Sequence, residues 1–81
     1  MPPIPTVRAN GHAIRAFCDM GDLTIADLAR RAGVAGSAVH YYVHGVKQPT
    51  RRTLNKIAQA LGVPAQAICM DDLSQEIRRS A

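Results

Sequence analysis

Residues 24–45 read TIADLARRAGVAGSAVHYYVHG, and two helical periods separated by a glycine are written into them. Leu28, Ala29 and Ala32 lie at i, i+1 and i+4 and form one apolar stripe that stops at Gly33. Glycine takes a left-handed conformation without steric cost, so Gly33 ends a short helix and turns the chain. Val34 follows as an apolar plug, residues 35–37 open a second segment, and Val39, Tyr42 and Val43 again fall at helical spacing before Gly45. The pattern predicts two short helices meeting across a tight glycine turn.

Outward from this unit, residues 46–50, VKQPT, form a loop in which Pro49 suits a turn and Thr50 can cap the next helix. Leu54, Ile57, Ala58 and Leu61 then sit at i, i+3, i+4 and i+7, an amphipathic stripe ended by Gly62. Val63 and Pro64 are expected to start a short fifth helix in which Ala67, Ile68 and Met70 are apolar. On the other side, Asn10 caps a first helix running to about Met20, with Ala13, Ile14, Phe17 and Cys18 inward and Phe17 as the largest core side chain. Gly21 and Asp22 break it, Leu23 returns the chain to the core, and Thr24 caps the second helix with Asp27 in its first turn. The expected core is Ile14, Phe17, Leu28, Ala29, Val34, Val39, Leu54, Ile57 and Leu61.

The ends differ from the middle. Pro2, Pro3 and Pro5 favour extended backbone, so residues 1–9 are expected to be a flexible arm. Residues 71–81 mix Asp71, Asp72 and Glu76 with Arg78 and Arg79, and Leu73 and Ile77 stand four apart. That tail either extends a helix for contact with a partner or frays. Residues 10–70 are left as one small domain.

Composition narrows the possible functions. The chain has 81 residues, 47% of them apolar, with Phe17, Tyr41 and Tyr42 as its aromatics. Short helices around a single core suit that length. No apolar run approaches the roughly 20 residues that span a bilayer, and the first residues lack the basic and apolar regions of a signal peptide. The expectation is a cytoplasmic protein with no membrane partner. Cys18 and Cys69, far apart in sequence, are neither a disulfide framework nor a paired zinc motif. His40 and His44 could share a metal on one helix, but no acidic or cysteine ligand is local, so no metal site and no cofactor are expected. Enzymatic function is disfavoured as well: there is no phosphate-binding glycine loop and no arrangement of nucleophile and base with enough chain to build a cleft, which also argues against a small-molecule substrate.

Charge placement points to a polyanion. Between Asp27 and Asp71 there is no acidic residue, while Arg30, Arg31, Lys47, Arg51, Arg52 and Lys56 give that span six positive charges. Unopposed positive charge repels itself and steers toward nucleic acid. Arg30 and Arg31 cannot both face one ligand, because adjacent helical residues diverge by about 100°.

With these residues in view, residues 10–68 resemble the lambda-repressor-like helix-turn-helix of the Xre/Cro family of bacterial and phage regulators. The resemblance is carried by GHAIRAF, LTIADLARRAGV, AGSAVHYYVHG, KQPTRRTL and LNKIAQALGV in register. It implies an all-α, five-helix DNA-binding domain that binds double-stranded DNA as a homodimer, with the helix around residues 36–43 in the major groove of a two-fold symmetric operator. A repressor is the expected role; the rival is a protein-interaction module such as an antitoxin or anti-repressor, whose ligand is another protein. Ile25 stands where the family often has a phosphate-binding glutamine, Ala35 where it often has a capping serine, Gly36 where many members have a long base reader, and Val43 where glutamate is common. The base-reading set is then Ser37, His40, Tyr41 and His44, whose groups can meet base edges or a thymine methyl. Tyr42, on the Val39 side, is expected in the core. Lys47, Arg51 and Arg52 match the family's phosphate contacts, and Thr24 with the amides of the second helix's N-terminus can hold another phosphate. Ile68, Met70, Leu73 and Ile77 are the expected dimer surface.

Overall fold

A computed structural model describes residues 5–71, which form four α-helices: α1 (Gly11–Met20), α2 (Ile25–Ala32), α3 (Gly36–His44) and α4 (Arg51–Leu61). Three of the four starts are capped by a side chain. Asn10 Oδ1 accepts from the Ala13 amide at 3.1 Å, and Thr50 Oγ1 accepts from the Thr53 amide at 3.2 Å. At α2 the cap is reciprocal: Thr24 Oγ1 accepts from the Asp27 amide at 3.0 Å, and Asp27 Oδ2 accepts from the Thr24 amide at 3.2 Å. Only α3 among them begins without a side-chain cap, because Ala35 has no acceptor to offer.

The turn that organises the fold is the expected one. Gly33 has φ +73°, and the Val34 amide donates back to the Ala29 carbonyl at 3.0 Å, closing α2 and aiming the chain into α3. At the end of α1 the left-handed residue is Asp22, with φ +57°, and not Gly21. Aspartate tolerates this conformation better than most residues, and the Leu23 amide then reaches the Cys18 carbonyl at 2.8 Å.

The four helices pack around Ile14, Cys18, Leu28, Ala29, Val39, Leu54, Ile57 and Ala58. Phe17, Val34 and Leu61 pack against this cluster but stay half-buried. The expectation that Phe17 is the largest core side chain is therefore corrected: α1 turns its Ile14–Cys18 line inward, and Phe17 lies to one side of it. Ile14 heads the fully buried side chains instead.

Three further expectations change. The fifth helix is a single 3-10 turn, Ala65–Ile68, because Cys69 must be extended to pair with Ala9. Ile68 is 0% exposed and closes the monomer core, so it is not part of a dimer surface. Met70 is 61% exposed, while Leu73, Ile77 and residues 72–81 lie outside the described residues, as do residues 1–4. Finally, residues 6–9 are not a free arm. Val7 and Ala9 are buried in the core, and the backbone there is bonded on both edges. Burial of two apolar side chains and a run of backbone hydrogen bonds offsets the entropy that prolines alone would leave.

Candidate nucleic-acid interface

The outer face of α3 is built by the same periodicity that buries its inner face. Val39 is fully buried and Tyr42 and Val43 pack against the core. Ser37, His40, Tyr41 and His44, at i, i+3, i+4 and i+7, form one exposed stripe on the opposite side. The stripe is continuous: the His40 and His44 ring centres are 4.3 Å apart, and His40 meets Tyr41 edge-on at 6.3 Å. All four expected base-reading side chains are thus brought together on a single solvent-facing surface.

Beyond α3 the chain folds back onto this stripe. The Val46 amide donates to the Tyr41 carbonyl at 2.9 Å, and Lys47 Nζ sits 5.1 Å from the centre of the Tyr41 ring. Such a cation over an aromatic face is held electrostatically. Lys47 and Arg52 are exposed, and Arg51, the first residue of α4, is half-buried.

The N-terminus of α2 is more occupied than its sequence suggests. Thr24 is exposed, but its amide and hydroxyl are both engaged in the reciprocal cap with Asp27. Those bonds, the Thr24 amide first, hold the Asp27 carboxyl below the usual carboxylate range, with the Arg30 and Arg31 charges adding to them. Arg30 Nη2 lies 3.6 Å from Asp27 Oδ1 on the surface. A negative charge therefore already stands where an incoming anion would seek the helix dipole.

The packing of α1 on α3 sets where the stripe stands. Gly11 lies so close to the end of α3 that a Cβ there would fall 2.8 Å from the Val43 carbonyl carbon and closer still to its oxygen. By contrast Gly36, at the start of α3, faces open space.

Sequence reasoning missed two side chains here. Gln48 Oε1 accepts from the Ala9 amide at 3.0 Å, and Asp71 takes both the Arg8 amide and Arg8 Nε at 2.9 Å. No local pattern could have revealed them, since the partners are 39 and 63 residues apart. The two cysteines are free and buried, and burial, with the Asp19 charge, pushes the Cys18 thiol up. Among the described residues no three His, Cys, Asp or Glu side chains are placed to share a metal ion, and no helix is long and apolar enough to cross a membrane.

A family model described as helix-turn-helix matches residues 14–68. The chain belongs to the Xre/Cro-type helix-turn-helix family. Within it, this chain is 37% identical over 54 residues to an HTH-type transcriptional regulator of Mycobacterium tuberculosis, an alignment covering 67% of this chain and 21% of that protein. The chain thus spans about a fifth of the length of the curated relatives it matches. Among solved structures, the restriction-modification controller protein C.AhdI from Aeromonas hydrophila superposes with a TM-score of 0.68 at 23% identity, covering 70% of this chain and 86% of that one. The N-terminal DNA-binding domain of SinR from Bacillus subtilis gives 0.69 at 23% identity, covering 78% and 91%. At such identities these likenesses establish the helix-turn-helix fold. Members of this family are regulators and not a class of enzyme.

Proposed function

We propose that this chain is a sequence-specific DNA-binding transcriptional regulator, acting as a repressor in the cytoplasm, that lays α3 in the major groove of double-stranded DNA. The observation that carries this reading is the exposed stripe of Ser37, His40, Tyr41 and His44, flanked by Lys47 and Arg52 in a span without acidic residues. Imidazole, phenol and hydroxyl groups can exchange hydrogen bonds with base edges, and the Tyr41 ring can contact a thymine methyl. Lys47, Arg51 and Arg52 anchor phosphates and fix register without reading sequence. Thr24 contributes a further phosphate contact from the edge of α2, weakened by the Asp27 carboxylate beside it.

One recognition helix reads too few base pairs to select an operator, so the active species is a homodimer. Its two copies of α3 would enter successive major grooves about 34 Å apart on a two-fold symmetric site. Met70 supplies exposed apolar surface for that contact, with Leu73 and Ile77 following it in sequence. A regulator is preferred over a module that binds only protein because the exposed face of α3 is polar, aromatic and basic-flanked.

Selection of binding sites from random DNA, followed by footprinting and titration at several salt concentrations, tests this. With about five phosphate contacts in each protomer, log affinity should fall against log salt with a slope of about −4 to −5 per protomer bound, and the selected site should be palindromic. A flat salt response, or no enriched sequence, sinks the proposal.

A further inference from the structure

Four consecutive backbone amides near the N-terminus donate alternately to two different parts of the molecule. Val7 donates to the Pro49 carbonyl at 3.0 Å and Ala9 to Gln48 Oε1 at 3.0 Å. Arg8 donates to Asp71 Oδ2 at 2.9 Å and Asn10 to the Ile68 carbonyl at 2.8 Å. The alternation is that of extended backbone, whose successive N–H groups point to opposite edges. One edge therefore grips the loop that carries Lys47 and leads into Arg51, and the other grips the segment by which the chain leaves the domain. Two bridges, Thr6 with Thr50 and Ala9 with Cys69, repeat the arrangement, and the Met70 amide returns a bond to the Arg8 carbonyl at 2.8 Å.

The loop needs such support. Residues 46–50 lie between two helices, and Lys47 is exposed, with its ammonium resting over the face of Tyr41. A phosphate contact is worth most when its cation is ordered before the DNA arrives, because ordering a lysine on binding costs side-chain entropy. Gln48 and Pro49 are the residues that follow Lys47, and both are tied to residues 7–9. Arg8, the cation nearest the N-terminal prolines, is turned away from the loop and closed in a two-point bond with Asp71.

We infer that residues 6–10 are a splint that holds the phosphate-contacting loop against the C-terminal exit of the domain, with Gln48 and Asp71 as positioning residues. This rests on the DNA-binding reading above for its consequence, though not for its geometry. Residues 6–9 of the splint stand where a proline-rich N-terminus suggests a free arm, and Arg8 is paired with Asp71 through Nε on the surface. The splint also joins the loop to residue 71, so whatever engages the chain beyond that point acts on the loop through two hydrogen-bonded edges.

The test uses Gln48→Met, which keeps length and charge but removes the acceptor, and Asp71→Asn, which removes a negative charge. Each is measured for operator affinity against salt, melting temperature, and backbone relaxation of residues 46–50 in the DNA-free protein. A splint predicts faster motion of residues 46–50 in both variants, operator binding about fivefold weaker, and a salt slope shallower by about one phosphate contact. A loss of stability alone would lower the active fraction without changing the slope. Asp71→Asn is the sharper case, because removing negative charge would by itself tighten binding to DNA. Tighter binding with a steeper slope would mean that Arg8 is released to the DNA as an arm, and would overturn the inference. Unchanged motion of residues 46–50 in both variants would overturn it as well, even if the wild-type protein bound no DNA.

Discussion

Replacing Gly11 by alanine should damage the domain although alanine is the better helix former. The Cβ would stand 2.8 Å from the carbonyl carbon and 3.1 Å from the Cα of Val43, with the oxygen nearer still, and the obstacle is backbone that no rotamer change can move aside. Helix propensity favours alanine by at most about 1 kcal/mol. Forcing a methyl group into a closed contact costs about 1–3 kcal/mol, and the upper end applies where two helices must part. The net loss is about 2 kcal/mol. In a domain of this size each kcal/mol moves the melting temperature by about 4–8 °C, so Gly11→Ala should melt about 8–16 °C below wild type by far-UV circular dichroism. Gly36→Ala is the control: its Cβ meets open space, so stability should hold or rise by up to about 1 kcal/mol. A Gly11→Ala protein melting within about 2 °C of wild type would show that α1 and α3 are not in the contact described, and with it the placement of the exposed stripe.

Two other perturbations follow from the site. Tyr41 and Lys47 were assigned different roles from sequence, yet the cation lies over the ring, so the effects of Tyr41→Ala and Lys47→Ala on DNA affinity should not add. A double-mutant cycle should give a coupling of about 0.5–1 kcal/mol, and additivity within about 0.3 kcal/mol would separate the two residues again. The Asp27 carboxylate is held below its ordinary range chiefly by the Thr24 amide. A depressed carboxyl stabilises the fold above its unfolded value and loses that contribution as pH falls through the lower, folded value. Asp27→Ala should therefore melt below wild type at neutral pH, with the gap closing below about pH 3.9; a gap that persists in acid would mean that the protonated carboxyl still accepts from the Thr24 amide and that its charge is not what stabilises the fold.

The helices were legible because their signals are local. Asn10, Thr24 and Thr50 each cap through a residue three positions on, Gly33 needs only its own left-handed turn, and the i, i+3, i+4 spacing that buries Val39 also exposes His40 and His44. What sequence could not reveal depends on partners far along the chain. Three prolines argue for a loose arm until Val7 finds the Pro49 carbonyl. Ile68 looks like spare apolar surface until it caps the cluster of Ile14 and Leu54. Phe17 is the bulkiest candidate for the core, but the roll of α1 about its axis, set where Gly11 meets Val43, places the smaller Ile14 and Cys18 inward. Base-reading candidates emerged as a group because one helix carries all four of them, whereas the coupling of Lys47 to Tyr41 required knowing how the following loop turns back.

The same distinction bears on the six basic residues between Asp27 and Asp71, which sequence divides only by the divergence of Arg30 from Arg31 and by the family resemblance of Lys47, Arg51 and Arg52. The fold makes them unequal. Arg30 leans toward Asp27, whose carboxylate also occupies the Thr24 amide, so the α2 N-terminus brings little net positive charge to a phosphate. Lys47 is anchored on the Tyr41 ring, carried on a loop bonded to residues 7–9, and Arg52 is exposed one turn further on. Counterion release depends on cations that meet phosphates, and an arginine partly neutralised by a neighbouring carboxylate releases few. Lys47→Ala and Arg52→Ala should therefore each make the salt slope shallower by about one per protomer bound, while Arg30→Ala leaves it unchanged. If Arg30→Ala reduces the slope as much as Lys47→Ala does, Arg30 meets a phosphate in spite of its pairing with Asp27, and the division of labour between α2 and the loop is wrong.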